Sequence, residues 1–319
     1  MSRSQPSRSL PSRSLPHAAL LVGAALLVSA CSSTPGPQPQ HSGSGGDAIG
    51  TITSPSPDPY GSTLTTYVGP VNDALAKLTS AGSMDDLNTA LGSLQKAADS
   101  GATGLQSASV PPAVSDSNQR LAGALTTLST NVGDVQGDMQ SSKVCATSSA
   151  LAEVGGMQGL KDVQSALQTI SGAGYSFTFT VPQTPSQQHR ALDNGTAIRQ
   201  GQNDGSGELT VDNGNGDGDA VLTLAKDGQA AYSFYVQKGQ TAKMNGIRDG
   251  HYDIYFAGGV DWDSGSKKFT QNCSYTKFDQ GADFTTTDTT YSTLTLTLKA
   301  TVGGNATTSD VPPDQYPQP

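Results

Sequence analysis

The sequence predicts an α+β protein with two folded parts, an N-terminal up-down four-helix bundle and a C-terminal antiparallel β-sandwich, after a signal peptide and a disordered tether. Three observations support this. Apolar residues recur at helical spacing over 62–172, and they alternate with polar residues over much of 173–310. Residues 31–61 are rich in Ser, Gly and Pro and hold almost no large apolar side chain, which is typical of a flexible tether. Residues 311–319 are expected to form a disordered tail.

Four amphipathic stripes define the predicted helices. Their apolar residues fall at helical spacing and their opposite faces are polar, as expected of helices that share one core; the stripes occupy residues 64–78, 87–98, 121–139 and 151–170. Ser83 begins the second stripe with Asp86 three residues later, which resembles a capping box with Asp in place of Glu. The pair Gly155-Gly156 is expected to kink or divide the last stripe.

Alternation with a period of two predicts the strands. Half-buried strands of an antiparallel sheet show this period, and it is found in residues 175–179, 208–211, 220–224, 232–236, 252–256 and 291–298. Several short strands within one region favour a β-sandwich over a βαβ fold. The polar stretch 182–206 is predicted to be a long loop.

The first thirty residues have the plan of a secretory signal peptide. Arg3, Arg8 and Arg13 precede an apolar run over 18–30, with no acidic residue before it. This run is shorter than the roughly 20 apolar residues that a membrane-spanning helix needs. We therefore expect export followed by cleavage.

The cleavage site is predicted immediately before Cys31. Val28-Ser29-Ala30-Cys31 resembles the lipobox of bacterial lipoproteins, in which the cysteine is diacylated and becomes the mature N-terminus. The resemblance implies a protein anchored by lipid to the outer face of the bacterial cytoplasmic membrane, where two acyl chains hold more firmly than one. The alternative is an ordinary secreted protein in which Cys31 pairs with another cysteine.

Charge and cysteine content narrow the function classes. Cleavage removes three arginines and no acidic residue, which takes the formal charge from −9 to −12. So acidic a chain is a poor candidate for binding nucleic acid or anionic lipid through a basic patch. Cys145 and Cys273 remain, and an even pair in an exported protein predicts one disulfide, with two free thiols as the alternative. No CxxC and no Cys/His cluster has metal-ligand spacing, so we expect no metal and no cofactor.

The segment 213–219, Asn-Gly-Asn-Gly-Asp-Gly-Asp, resembles part of a calcium loop. Counted from Asn213, however, the first position is Asn rather than Asp, and the twelfth is Leu224 rather than a bidentate Glu. Because Asn-Gly and Asp-Gly between two strands are typical of hairpins, a turn is the favoured interpretation.

Trp262 is the only tryptophan, and Asp261 and Asp263 flank it. With Tyr252 and Tyr255 nearby, the group is a candidate ligand site: a stacking platform for sugars, or a carboxylate pair for glycoside chemistry. Catalysis would need a raised pKa that no neighbour in sequence supplies. The favoured interpretation is a tryptophan that closes one end of the sandwich.

The histidines and serines give no catalytic pattern. His189 falls in the polar loop, His251 falls at a strand start, and no serine lies in a GxSxG context. We therefore predict no catalytic residue.

The run 246–256, Gly-Ile-Arg-Asp-Gly-His-Tyr-Asp-Ile-Tyr-Phe, resembles the G-I-x-x-G-x-Y strand of prealbumin-like, carboxypeptidase-regulatory sandwiches. Taken with Asp261-Trp262-Asp263 and 303–307, it is similar to an uncharacterised β-domain at the C-terminus of bacterial membrane and surface proteins. The whole layout resembles lipoproteins of unknown function from high-G+C Gram-positive bacteria. The resemblance implies a sandwich and no catalytic residues.

These features predict a non-enzymatic binding or interaction module at the cell surface. Its expected partners are the membrane, through the lipid, and a wall glycan or another surface protein. One alternative is carbohydrate or cell-wall binding through the Trp262 region. A weaker alternative is a cell-wall-active enzyme that uses Asp261, Asp263 or His251.

Overall fold

The computed structural model describes residues 59–299 and 306–319. The predicted signal peptide, the lipid-bearing Cys31 and nearly all of the tether lie outside these residues. Within them, five α-helices precede a sheet-rich region, so the protein is α+β with two parts. The helices are α1 (Pro59–Leu78), α2 (Met84–Ser107), α3 (Ser115–Gln140), α4 (Thr147–Gly156) and α5 (Gln158–Gly172), with a 3₁₀ turn at Pro112–Val114. No helix in the described ranges combines the length and apolarity needed to cross a bilayer.

Two local predictions for the helices are confirmed. The Ser83 hydroxyl accepts a hydrogen bond from the Asp86 amide at 3.1 Å and caps α2. The last stripe is divided after Gly156, where α4 ends; one residue, Met157, separates it from the start of α5. A Cβ at Gly159 would lie 2.5 Å from the Leu128 backbone, so glycine allows α5 to lie directly against α3.

The apolar residues of all five helices are buried in one core, in which most leucines and valines have no exposed surface. The prediction of a strand at 175–179 was wrong. This segment makes no sheet pairing and lies extended across the helices, with Tyr175, Phe177 and Phe179 packed on their core. The alternating pattern correctly indicated that one side of this segment is buried. It is buried against helices, however, and not within a sheet.

The described strands are β1 (Ala197–Arg199), β2 (Gly207–Asp212), β3 (Asp219–Lys226), β4 (Gln229–Val236), β5 (Thr241–Ile247), β6 (Gly250–Asp263), β7 (Lys268–Phe278), β8 (Ala282–Phe284), β9 (Thr293–Thr297) and β10 (Thr308–Asp310). The large sheet has the order β1-β4-β3-β6-β7-β10, with β8 also paired to β6. The small sheet has the order β5-β2-β9. Its β2–β9 pair is parallel, whereas every pair in the large sheet is antiparallel.

The large sheet buries both of its faces. We call the cluster that it shares with the small sheet the inner core; this contains Leu209 and Val211 of β2 together with Leu222, Phe234 and Ile254 of the large sheet. The cluster on the opposite face is the outer core, formed by Val221, Tyr235, Ala257, Trp262, Phe269 and Tyr316.

Irregular chain covers the outer core, and its C-terminal part corrects one prediction. The loop 182–206 contains the short strand β1, and its Leu192 packs against the outer core. The tail 311–319, expected to be disordered, carries Tyr316, which is only 4% exposed. The tail is ordered because this ring fills the outer core and its hydroxyl shares a hydrogen bond with the Thr223 hydroxyl at 2.9 Å.

The predicted disulfide between Cys145 and Cys273 is present, with its Cα atoms 6.4 Å apart. Cys145 lies between α3 and α4, and Cys273 lies in β7, so the bond joins the helical and sheet-rich parts. Backbone hydrogen bonds reinforce it: the Cys145 amide donates to Thr270 O at 2.9 Å and the Cys273 amide donates to Ser142 O at 2.8 Å. The segment before α4 therefore pairs with β7 like a short additional strand.

Candidate functional site

Trp262 lies inside the outer core, with 2% of its surface exposed. Its ring meets Phe269 edge-on at 5.1 Å and Tyr235 at 6.0 Å between ring centroids. A ring so enclosed offers no face for a sugar. The stacking-platform prediction is therefore corrected, and the tryptophan acts as a plug.

The two predicted tyrosines lie on opposite faces of the large sheet. Tyr252 is buried in the inner core, and its hydroxyl donates to Arg248 O at 3.1 Å. Tyr255 packs on the outer core against Tyr316, at 6.1 Å between ring centroids. Side chains alternate between the two faces of a strand, so two residues three positions apart point to opposite faces. Tyr252 and Tyr255 therefore cannot both belong to one ligand site with Trp262.

Asp261 is buried beside Trp262, in the part of β6 that follows a shift of register against β7, and its backbone is left-handed, with a φ of 58°. Both carboxylate oxygens are engaged. One accepts from the amide and Nε of Arg190, at 2.8 and 2.9 Å. The other accepts from Arg190 Nη2 at 2.7 Å and from the Thr270 hydroxyl at 2.6 Å. The hydrogen bonds from the Arg190 guanidinium hold the pKa of Asp261 far below its usual range.

Asp263 serves the adjacent turn. It accepts from the Gly265 amide at 3.0 Å and from the Ser266 hydroxyl at 3.0 Å, and Arg190 Nη1 lies 3.3 Å away. The Gly265 amide hydrogen bond is the main cause of its lowered pKa. A glycosidase acid needs a raised pKa, so both aspartates are suited to holding the chain and unsuited to donating protons.

Neither of the two histidines is hydrogen-bonded to a serine, threonine or cysteine side chain within the described residues. His189 is exposed, and His251 Nδ1 lies 2.8 Å from Asp283 in an exposed pair. No group of three or more His, Cys, Asp or Glu within the described ranges could hold a metal ion.

The 213–219 segment forms a loop organised by its first side chain. Asn213 is buried, and its Nδ2 donates to Gly218 O at 3.0 Å and to Gln237 O at 3.3 Å. The side-chain amide therefore donates to carbonyl groups of the loop, and these hydrogen bonds stabilise it as a turn.

This loop forms one wall of a cleft of about 470 Å³, which we call the end cleft. Beyond Asp212 and Thr297, where β2 and β9 end, β6 continues to Asp263. The cleft occupies this end of the inner face. Its lining residues are Asn213, Gly216, Asp217, Gly218, Asp219, Ala220, Phe256, Gly258, Gly259, Val260, Asn272, Ser274, Leu298 and Lys299.

A pair of glycines in the middle of β6 leaves room for the end cleft. A Cβ at Gly258 would lie 2.8 Å from the Ser274 hydroxyl, so a larger residue would fill the space. Glycine within a strand often marks a close approach by a ligand or by another backbone. The sequence interpretation missed this cleft, and Gly258-Gly259 was the signal that could have found it.

The end cleft combines one aromatic wall with polar groups. The Phe256 ring is half-buried, while Asn272 and Ser274 are exposed, and in the described part of the chain their side chains have no protein hydrogen-bond partner. Lys299 Nζ lies 3.1 Å from both oxygens of Asp217 at the rim. Such a wall, with uncommitted amide and hydroxyl groups, suits a small polar ligand that also has an apolar face.

Comparison with known proteins gave no match among protein families, curated proteins or solved structures. The end cleft is therefore interpreted from its own chemistry.

Proposed function

We propose that this protein is a non-enzymatic binding module, anchored by a diacylated Cys31 to the outer face of the cytoplasmic membrane and held away from it by the tether. The end cleft is its ligand site. In this proposal the helical part is an up-down four-helix bundle whose last helix is divided into α4 and α5. The sheet-rich part is a β-sandwich.

Packing supports this architecture. Helix α2 packs against α1 and α3, and α3 packs against α5, as consecutive helices of an up-down bundle do. The inner core draws apolar residues from both sheets, as the interior of a sandwich does. The Cys145–Cys273 bond suits an oxidising, extracytoplasmic compartment.

The observation that carries the binding function is the end cleft, in which Phe256 faces the uncommitted side chains of Asn272 and Ser274. Binding is favoured over catalysis because the carboxylates best placed for glycoside chemistry, Asp261 and Asp263, are held in their charged form by structural hydrogen bonds.

A carbohydrate is the second, more specific candidate for the ligand. Sugars present an apolar ring face and several hydroxyls, and aromatic rings with amide and hydroxyl partners match both. This candidate moves the predicted glycan contact from Trp262 to Phe256.

The test uses the mature protein in detergent and a set of cell-wall glycan fragments, with binding measured by calorimetry. Ser274→Phe places a ring in the cleft from an exposed position, and Ser100→Phe adds the same ring on an exposed face of α2. We expect the wild type and Ser100→Phe to bind a common fragment, and Ser274→Phe to lose about tenfold or more in affinity, near 1.4 kcal/mol.

Equal affinity of all three proteins would remove the end cleft as the site. Failure of the wild type to bind any fragment would remove the carbohydrate candidate. In either case, release of Cys31→Ser protein from membranes would still report on the anchor independently.

A further inference from the structure

A second cleft lies at the opposite end of β3. The end cleft includes Asp219 and Ala220 at the start of that strand, whereas the second cleft includes Lys226 at its last position. Its volume is about 520 Å³, and we call it the basic cleft. The two clefts share no lining residue, so an inference about one does not depend on the other.

The charge of the basic cleft is opposite to that of the chain. Its lining contains three cations, Arg199, Lys226 and Arg248, and one carboxylate, Asp249, in a chain with 27 acidic and 18 basic residues. Such a group of cations attracts an anion.

The carboxylates nearby are already committed. Asp249 accepts from the amide and the hydroxyl of Thr286, at 2.9 and 2.7 Å. Asp204, just outside the lining, forms an ion pair with Arg248. Within the described residues, Arg199 and Lys226 have no carboxylate partner. Two cations in one concave site are therefore available to an anion.

The backbone directs Lys226 into the cleft. A two-residue turn follows it, Asp227-Gly228, with φ of 52° and 75°, which is the Asp-Gly type I′ connection of a tight hairpin. The Lys226 ammonium lies 6.0 Å from the centre of the Tyr252 ring. It would also lie only 3.2 Å from a Cβ at Gly250, so the glycine leaves room for it.

Two electrically neutral tyrosines, each only 3% exposed, lie beneath the basic cleft. Tyr232 and Tyr252 pack edge-to-face at 5.8 Å, and their hydroxyls donate to Gln202 O at 2.6 Å and Arg248 O at 3.1 Å. Burial raises the pKa of Tyr252 to about 12. The phenol therefore stays protonated at neutral pH and does not repel an anion.

We propose that the basic cleft binds a phosphoryl group through Arg199 and Lys226. Phosphate presents several oxygens and up to two negative charges, which an arginine fork and a lysine point charge satisfy together. The carrier could be a sugar or a lipid headgroup, and both would present the same chemistry to Arg199 and Lys226. The experiment separates these sources.

The test uses the full mature chain in detergent, with three water-soluble probes: inorganic phosphate, glucose 6-phosphate, and glycerophosphoglycerol, which is the headgroup of phosphatidylglycerol without its acyl chains. Phosphorus NMR line-broadening and calorimetry report binding. The cleft variant is Arg199→Gln with Lys226→Gln. The matched control is Lys96→Gln with Lys268→Gln, which removes the same charge from exposed positions outside the cleft.

We expect at least one phosphate probe to bind the wild type and the control equally, and to bind the cleft variant about tenfold or more weakly. Preference for glucose 6-phosphate over inorganic phosphate would identify a sugar as the carrier, and preference for glycerophosphoglycerol would identify a lipid headgroup. Equal affinity in the cleft variant and the control, or no binding of any probe to the wild type, would overturn the proposal.

Discussion

The two faces of the large sheet are covered in different ways. A second sheet covers the inner face, and apolar side chains from both sheets fill the space between them. Irregular chain covers the outer face, namely the loop that carries Arg190 and the tail that carries Tyr316. The first cover spreads its stabilisation over many nonpolar contacts, whereas the second depends on a few directional hydrogen bonds inside an aromatic cluster.

This difference shows how short irregular segments can close a core. A loop cannot bury its backbone without partners for its polar groups. Here Asp261 accepts a hydrogen bond from the Arg190 amide, and Thr223 shares one with the Tyr316 hydroxyl, both from inside the sheet. Different substitutions should therefore destabilise the two faces. The inner face should be most sensitive to loss of side-chain volume, and the outer face to loss of a charge or a hydrogen bond.

The largest effect is expected on the inner face, from Phe234→Ala. This fully buried ring leaves a cavity that the two sheets cannot close, so the free energy of unfolding should fall by about 3–5 kcal/mol. Urea unfolding monitored by circular dichroism measures it. Tyr291→Ala is the control, since that ring is 50% exposed and should cost little. A loss below about 1 kcal/mol for Phe234→Ala would contradict a packed inner core.

Arg190→Ala should have the next largest effect. It leaves the Asp261 carboxylate buried with the Thr270 hydroxyl and the Arg190 amide as its remaining partners. Because the Arg190 side chain is 43% exposed, the cost should lie below that of a fully buried pair, at about 2–3 kcal/mol. The double variant Arg190→Ala with Asp261→Asn should recover part of this loss. No recovery would mean that Arg190 acts by packing and not by charge.

Acid should weaken the outer face selectively. The folded pKa of Asp261 is depressed, so its stabilising contribution is present above the unfolded value near 4 and is lost as the pH falls towards the folded value. Unfolding midpoints at pH 7 and pH 3 should differ more for the wild type than for Asp261→Asn. An identical pH dependence in the two proteins would contradict the assignment.

The smallest effect is expected from Tyr316→Phe. It removes the hydroxyl that bonds Thr223 but keeps the ring in the outer core, and Thr223 retains Ser233 as a partner at 3.0 Å. The cost should be about 1 kcal/mol, with faster proteolysis of the tail measured by mass spectrometry. Unchanged proteolysis together with unchanged stability would show that the tail is held by other contacts.

Most of the helical part could be predicted because helical periodicity is local. The stripes, the Ser83 cap and the division after Gly156 all depend on residues three or four positions apart. Strand pairing is non-local, so alternation found β3 and β4 but could not show that 175–179 covers helices. Strands β5 and β7 alternate too weakly in apolar character to be recognised, since β7 carries Lys, Thr, Gln and Asn between its aromatic residues.

The candidate sites show the same limit. The sequence places Trp262 between two carboxylates, but it does not show the β6–β7 register shift or the left-handed backbone of Asp261, next to which both residues are buried. Arg190, the partner of Asp261, is 71 residues away in the chain. The two clefts depend on strand lengths and turn positions, which composition does not report.

The most direct test of the account is the intact mass of the membrane-extracted protein, alkylated before and after reduction. We predict a mature chain that begins at Cys31 and carries a diacylglyceride. No thiol should be alkylated before reduction, and Cys145 and Cys273 should both be alkylated after it. A soluble, unmodified chain whose thiols react without reduction would contradict both the anchor and the covalent link between the helical and sheet-rich parts.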